Sequence, residues 1–491
     1  MKGMIAIDVG TTAVKAALIT ENLTITGLSI KEYTLSTPSQ EIVELNSSVY
    51  WDNFIAAVRE LLSKTNFPPD EIVSITCTTQ GETFIPVDKN GAALYNAIVW
   101  LDSRAADEGI FIGNQFPKEH FYAKTGVPEL NGYTPIAKLL WFKNNHPDIY
   151  NKTCKFLLLE DFLITKLTGV FITNPSIMCS TGYFDINSSR IWNEILDYSG
   201  IDPQKIPDVL PCGSIAGVLS PDAAAILGLP AGISITTGAM DQAAAAVGSG
   251  SIQEGTLVET TGTALVVTTS INSPDTDIWK PVCVYTHGIQ SKYLKVLVIQ
   301  AAGIIYKWFR DTFCIDLAED RFGEMNKLAA MEPPGSRGLL VYPHFTGTQF
   351  PLTNNKIRGS FIGVGLDTTR GSFLRAIMES IAFTLRECIE YLGVHPDEIR
   401  SLGGGSKSSL WNQIKADVTG IKICTMSIEE AALLGAAILG GCATGIFTSP
   451  ETACAGMNGN NQYRPDKTNR SVYDECYGRY RQLYSALEEL F

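Results

Sequence analysis

The sequence predicts a two-lobed α/β protein, and three observations point there. The chain is 491 residues long, more than one hydrophobic core usually serves at a soft prior of ~150 residues per domain. It opens with a strand, a Gly/Thr turn and a second strand: MIAIDVG, the turn Gly10-Thr11-Thr12, then VKAALIT. A related unit recurs near residue 257, with TLVETTG, a turn at Thr261-Gly262-Thr263 and the return strand ALVVTTS. Mixed helix and strand patterns follow each unit, so the halves read as one plan used twice, with ligand between them.

In order, the pattern gives helix 50–64, strand 72–79, and helices 134–145, 157–168 and 222–227. A strand ending in a Gly turn leads into an Ala-rich helix from about Gln242. The second half reads as helices 299–313, 370–393, 408–419, 429–444 and 470–489, with strands near 339–343, 399–403 and 421–426. Gly248-Ser249-Gly250 is small, polar and suited to a hinge, which divides the chain into an N-terminal lobe, 1–247, and a C-terminal lobe, 248–491. The C-terminal helix from about 470 could pack back on the first lobe.

Composition excludes several function classes. Hydrophobic residues at 45% and charged residues at 18% are globular values, and no window approaches the ~20 apolar residues of a membrane helix. The N-terminus enters a strand directly, without a signal-peptide pattern, which implies the cytoplasm. Eleven scattered cysteines without a CxxC pair fit buried thiols in a reducing compartment. The five histidines form no HxH or HxxxH cluster, so no zinc site is expected. A net charge of -13 without a basic run disfavours nucleic-acid binding. An anionic nucleotide would need local devices: backbone N–H groups, a metal ion and a few placed cations.

Three loops offer such devices. Asp8 followed by Gly10-Thr11-Thr12 combines a tight turn whose N–H groups can approach phosphate, hydroxyl donors and a carboxylate able to hold Mg²⁺, with Lys15 as an added cation. An ordinary hairpin turn would look the same. Thr260-Thr261-Gly262-Thr263 echoes it. The third loop, Leu402-Gly403-Gly404-Gly405-Ser406, runs from a strand into a helix near Ser408. There a base or phosphate could pack against main chain freed of side chains, beside a helix N-terminus. No GxxxxGK[ST] phosphate loop is present.

Asp241 follows an apolar strand and Gly238 and precedes the small-residue helix Gln242 to Val247. Phosphoryl transfer to a hydroxyl needs a carboxylate to accept the proton, whereas a helix N-cap is the structural alternative at that position. Gln80-Gly81-Glu82 follows one strand, and Trp100, Asp102 and Arg104 follow another. Amides and carboxylates beside an aromatic suit polyol recognition. A structural Asp102–Arg104 or Glu82–Arg104 ion pair fits the spacing equally.

Taken in order, these segments resemble the FGGY carbohydrate kinases over nearly the whole chain. The resembling pieces are DVGTT (8–12), TTQGETF (78–84), WLDSR (100–104), GAMDQAAAAVG (238–248), ETTGTA (259–264), HFTGTQFP with Arg358-Gly359 (344–359), GGGSKSSLWNQIKADVTG (403–420) and EEAALLGAAILGG (429–441). The resemblance implies two ribonuclease-H-like lobes of the actin superfamily with a cleft between them, ATP as phosphate donor, and Mg²⁺ placed by Asp8. It also implies Asp241 as catalytic base, which sets the N-cap reading aside. Gly10, Thr11, Thr12, Lys15, Thr261, Gly262 and Thr263 would attend the phosphates, and Gly404, Gly405 and Asn412 the adenine. Gln80, Gly81, Glu82, Trp100, Asp102, Arg104, Asp241 and Gln242 would face the sugar.

Xylulokinase-like members carry Met-His-Gly after the corresponding Gln, and glycerol kinases carry Gln-Arg-Glu. This chain has Gln80-Gly81-Glu82, and Asp241-Gln242 looks like the glycerol-kinase pair, whereas WLDSR looks xylulokinase-like. Glycine in place of arginine removes a guanidinium clamp and is expected to open volume. The expectation is therefore a ketopentose such as xylulose, with glycerol or another polyol as the alternative. An actin-like or chaperone-like ATPase, or a silent sugar sensor, would share the fold but has no use for the residues at 80–104 together with Asp241. The implied partner is a small sugar or polyol, without nucleic acid or membrane, and a homodimer is allowed.

Overall fold

The computed structural model describes residues 1–317, 320–348, 353–426, 430–455, 457 and 459–491. Gln349, Phe350 and Pro351 of the HFTGTQFP segment, and Glu429, lie outside the described residues. By contacts the chain forms two units. The first comprises Met1–Ile252, Ile271–Leu294 and Glu430–Met457, and the second Gln253–Ser270, Lys295–Glu429 and Asn458–Phe491.

The first unit begins with β1 (Gly3–Val9), β2 (Ala13–Thr20), β3 (Ile25–Glu32), α1 (Ser47–Lys64) and β4 (Ile72–Thr79). Met4 to Ile7 and Val9 are fully buried, as a central strand covered on both faces requires. Asn46 starts α1 by accepting the Ser48 N–H at 3.0 Å, and the helix buries Tyr50, Phe54, Ala57, Val58 and Leu61, one helical stripe. After α2 (Leu159–Thr168) come β5 (Ile215–Val218), β6 (Ser234–Thr236) and α3 (Asp241–Gly248). The sheet order is β5-β6-β4-β1-β2-β3, with β1 antiparallel to β2 and parallel to β4.

The second unit repeats this plan with β7 (Thr256–Thr261), β8 (Leu265–Ile271), β9 (Tyr293–Ile299), α4 (Arg370–Leu392), β10 (Glu398–Leu402), α5 (Ser409–Thr419) and β11 (Lys422–Thr425). The hairpin β7-β8 is antiparallel, β10 runs parallel to β7, and the order β9-β8-β7-β10-β11 matches β3-β2-β1-β4-β6. These are two ribonuclease-H-like lobes.

The next helix, α6 (Ala431–Ala443), returns to the first unit and packs on α3. A Cβ on Gly248 would lie 1.9 Å from the Ala431 carbonyl, and one on Gly435 would lie 1.8 Å from the Ala244 carbonyl. The two glycines thus let the helix backbones touch. Gly248-Ser249-Gly250 is accordingly part of a tight buried contact rather than an exposed flexible hinge, and the unit boundary by contacts falls after Ile252. In the second unit β12 (Asn461–Tyr463) and α7 (Arg470–Tyr480) finish the chain. Tyr473 bonds Arg375 and Glu379 on α4 at 2.9 and 3.1 Å, so α7 docks within the second unit rather than on the first. Among the described residues no helix is long and apolar enough to cross a membrane.

Candidate active site

In the first unit, the turn between β1 and β2 is braced from its neighbour. The Gly10 N–H donates to the Ala13 carbonyl at 3.0 Å, the Tyr33 hydroxyl donates to the Gly10 carbonyl, and the Tyr33 N–H donates to the Thr12 carbonyl at 2.9 Å. Asp8 pairs in register with Lys15 across the hairpin and with Thr78 on β4. Its Oδ1 is buried without a hydrogen-bond partner among the described residues. Burial pushes its carboxyl up to about 6, opposed by the Lys15 ammonium and reinforced by Glu430. Lys15 itself is held by Glu430 at 2.7 Å.

The second unit presents the matching turn, where the Gly262 N–H donates to the Ala264 carbonyl at 2.9 Å. Beneath it lies a fully buried ion pair, Lys415 Nζ to Glu259 Oε1 at 2.6 Å. Lys415 also donates to Thr261 Oγ1 at 3.0 Å, and the Thr261 hydroxyl donates to Glu259 Oε2 at 2.6 Å. Asn412 is buried and engaged internally, donating to the Ser406 carbonyl at 2.7 Å and accepting from Ser401. It anchors the 403–407 loop.

The glycines of the three loops separate into two kinds. Gly403 has φ 78°, and Cβ atoms on Gly403 and Gly405 would lie 2.8 and 2.7 Å from Thr261 atoms, so the fold demands both. A Cβ on Gly404 or Gly262 would meet nothing within 4 Å, and one on Gly10 would be in ordinary contact at 3.8 Å. None of these three has a positive φ. Nothing among the described residues requires glycine there, whereas a ligand approaching the main chain would.

At the same end of the first unit's sheet, β4, which runs parallel to β1, delivers Gln80, Gly81 and Glu82, and the Gln80 N–H donates to the Val9 carbonyl at 3.1 Å. Gln80 turns inward, donating to the Tyr50 hydroxyl and to Thr83 Oγ1 at 3.2 and 3.1 Å. Glu82 holds φ 62°, a left-handed conformation costly for a glutamate and of the sort that collects at functional sites. The expected free volume at Gly81 is not there. A Cβ on it would lie 2.9 Å from Met240 Sδ and 3.2 Å from Ser180 Oγ, so Met240 fills the space.

Asp102 and Arg104 form an ion pair with each other, Arg104 Nη2 reaching Asp102 at 2.6 Å and Glu44 at 2.7 Å, with the guanidinium 4.8 Å above the Trp141 ring. Asp102 also accepts the Val43 N–H at 2.7 Å, so both its oxygens are engaged. Trp100 points elsewhere: its indole Nε1 donates to Thr11 Oγ1 at 3.1 Å, tying this loop to the first phosphate turn.

Asp241 is the first residue of α3, with Met240 at the cap position, and its Oδ1 accepts the Gln242 N–H at 2.7 Å. Burial pushes its carboxyl up to about 7; the Asp8 and Glu82 carboxylates add to the rise and the Gln242 N–H opposes it. Asp241 thus feels two carboxylates from separate sequence regions, and both push its proton affinity upward. The strand end is held from behind: Glu160 accepts the Gly238 N–H at 2.7 Å, Ser176 accepts the Met240 N–H at 3.1 Å, and Met240 bridges Thr79. Gln242 Oε1 is buried without a partner among the described residues.

Sequence reasoning missed Met240, Glu160, Glu430 and the Glu259–Lys415 pair, all brought in by packing. It also missed Lys138, which did carry a signal: a lysine inside PIAKLLWF, an otherwise apolar helical run.

Models of the FGGY family of carbohydrate kinases match residues 3–248 with its N-terminal domain and 257–444 with its C-terminal domain. The xylulose kinase of Bacillus subtilis is 30% identical over 100% of this chain and 98% of its own length. The gluconokinase of Bacillus subtilis is 27% identical, covering 91% of this chain and 88% of that protein. The solved structure of ligand-bound xylulose kinase from Lactobacillus acidophilus superposes with a TM-score of 0.89 at 25% identity, covering 99% of each chain.

Proposed function

This chain belongs to the FGGY family of carbohydrate kinases, and on that basis we propose that it transfers the γ-phosphoryl group of ATP to a hydroxyl of a ketopentose such as xylulose. The observation that carries the mechanism is the placement of Asp241 at the start of α3, half-buried and accepting the Gln242 N–H, with the Asp8 and Glu82 carboxylates near enough to help burial push its carboxyl up to about 7. A base with that affinity takes a proton from a sugar hydroxyl as the phosphoryl transfers.

In this reading the first unit binds the sugar. Glu82, Asp241 and Gln242 meet hydroxyls, Gln80 supports them from behind through Tyr50 and Thr83, and Trp100 covers a C–H face. Gly81 lets Met240 close the floor, and Asp102 with Arg104 holds the loop that carries Trp100. The turn Gly10–Thr12 takes phosphate oxygens, with Lys15 supplying charge beside it. The second unit binds the nucleotide through Thr261–Thr263 and Gly404, with Gly405 and Asn412 fixing the loop.

A magnesium ion fits Asp8, whose buried Oδ1 lacks a partner, and when bound it would neutralise phosphate charge. Eleven unpaired cysteines support a reducing, cytoplasmic setting.

The Gln80-x-Glu82 and Asp241-Gln242 pairs support a glycerol or polyol kinase as the second reading. An ADP-release assay over ketoses, aldoses, polyols and aldonates decides between them, with the highest kcat/KM expected for a ketopentose. A panel in which no compound raises ADP release while ATP still binds would overturn the kinase reading, and a polyol at the top would replace the substrate.

A further inference from the structure

Trp100 is pinned at every polar atom it has, while its ring stays open. Its main-chain N–H donates to Thr83 Oγ1 at 3.1 Å, its carbonyl accepts from the buried Lys138 ammonium at 3.2 Å, and its indole Nε1 donates to Thr11 Oγ1 at 3.1 Å. The supports are themselves held: Thr83 also accepts from Gln80 at 3.1 Å, and Lys138 also donates to the Val99 carbonyl at 3.0 Å. Trp100 is nonetheless 36% exposed, which leaves a large aromatic surface in water. An indole that open can donate to solvent. Here its one donor is spent on a hydroxyl 89 residues away in the chain.

The direction of that bond decides what Thr11 can do. A hydroxyl carries one proton and two acceptor sites, and an indole N–H only donates. With the indole in one acceptor site, the Thr11 proton points away from Trp100, and among the described residues no acceptor takes it. The main chain of the turn is fixed as well, because the Tyr33 hydroxyl donates to the Gly10 carbonyl and the Tyr33 N–H to the Thr12 carbonyl. A held turn thus offers one unspent donor, at the place proposed above for phosphate oxygens.

We infer that Trp100 is a positioning residue for phosphoryl transfer that acts through Thr11: its indole N–H commits the Thr11 proton to a nucleotide phosphate, and sugar packed on the same ring steadies that donor. This rests on Trp100 covering the sugar and the Gly10–Thr12 turn taking phosphate, as proposed above. Such coupling is reciprocal, so sugar tightens the nucleotide by the factor by which the nucleotide tightens sugar. A tryptophan that only covered the sugar would set sugar affinity and leave that factor alone.

The test is the Kd of the ATP analogue AMP-PNP with Mg²⁺, measured calorimetrically with and without saturating xylulose. The proteins are wild type, Trp100→Phe, Thr11→Val, Thr11→Ser and the double variant Trp100→Phe with Thr11→Val. Xylulose should tighten the analogue about tenfold in wild type and only about twofold in Trp100→Phe, which keeps a flat ring and loses the N–H. Thr11→Val should cut the factor equally, and the double variant should match Thr11→Val, because the two groups act as one unit. Thr11→Ser keeps the hydroxyl and should keep the factor. Xylulose that binds wild type without tightening the analogue, a wild-type factor in Trp100→Phe, or a double variant weakened by the product of the two single effects overturns the inference alone. An analogue Kd unchanged by Thr11→Val, or xylulose that does not bind wild type, overturns the reading on which it rests. Should Trp100→Phe not fold, Trp100→Tyr, which also lacks the indole N–H, makes the same comparison.

Discussion

Met240 Sδ stands 2.9 Å from where a Cβ on Gly81 would lie. Gly81→Arg alone should therefore displace Met240 and lower kcat/KM for the ketopentose at least about tenfold, overpacking costing about 1–3 kcal/mol. Gly81→Arg with Met240→Ala should recover activity and raise the glycerol-to-ketopentose ratio of kcat/KM. The same ratio in the single and double variants would show that the two positions are not coupled.

Asp241→Asn should lower kcat about 10²- to 10⁴-fold while leaving ATP and sugar affinity nearly intact. Retention of more than about a tenth of the wild-type kcat would remove Asp241 from the base role.

The same substitution has a stability signature. A carboxyl raised from 3.8 to about 7 binds its proton more tightly folded than unfolded. Its stabilising contribution is thus full below pH 3.8 and is lost as pH climbs through about 7. Asp241→Asn should then raise Tm by a few degrees at pH 8, with a gain that shrinks steadily toward pH 4. Melting curves across that range check it; a gain independent of pH would mean that Asp241 titrates normally.

Gly404→Ala and Gly405→Ala should part company. A methyl at Gly404 enters open space, so that variant should fold normally and raise the ATP KM several-fold. At Gly405 it would lie 2.7 Å from Thr261 Cβ, so that variant should lose about 1–3 kcal/mol of stability. Chemical denaturation and ATP titration of the pair separate ligand approach from chain packing. Equal ATP KM for wild type and Gly404→Ala would take Gly404 out of the nucleotide site.

Lys415→Met should destabilise by about 3–5 kcal/mol, since it strands Glu259 as a lone buried charge. Replacing both, Lys415→Met with Glu259→Leu, should restore much of the loss. Urea midpoints measure both, and equal midpoints for the single and double variants would show that Glu259 does not carry the cost.

What the sequence disclosed was local. The turns at Gly10 and Gly262 sit inside apolar strand runs, and Asp241 joins a strand end to a small-residue helix, so a short window carries each. The Asp102–Arg104 pair was legible as one of two options, and only coordinates chose, because both residues can reach several partners. Met240 looked like one more apolar residue, since nothing in its own neighbourhood says that it lies against Gly81. Glu430 could not be foreseen beside Lys15, 415 residues away. Gly248 was misjudged for a related reason: a small residue permits bending and close packing alike, and its partner Gly435 is far along the chain.

That contact between Gly248 and Gly435 also orders events at the ribosome. The lobe that carries Asp241 lacks its packing helix until residues 431–443 have been made, after nearly all of the second lobe. A nascent chain therefore carries an uncovered Ala/Gly helix face while residues 249–430 are made, and a gene cut between the lobes would yield an N-terminal fragment without its own last helix.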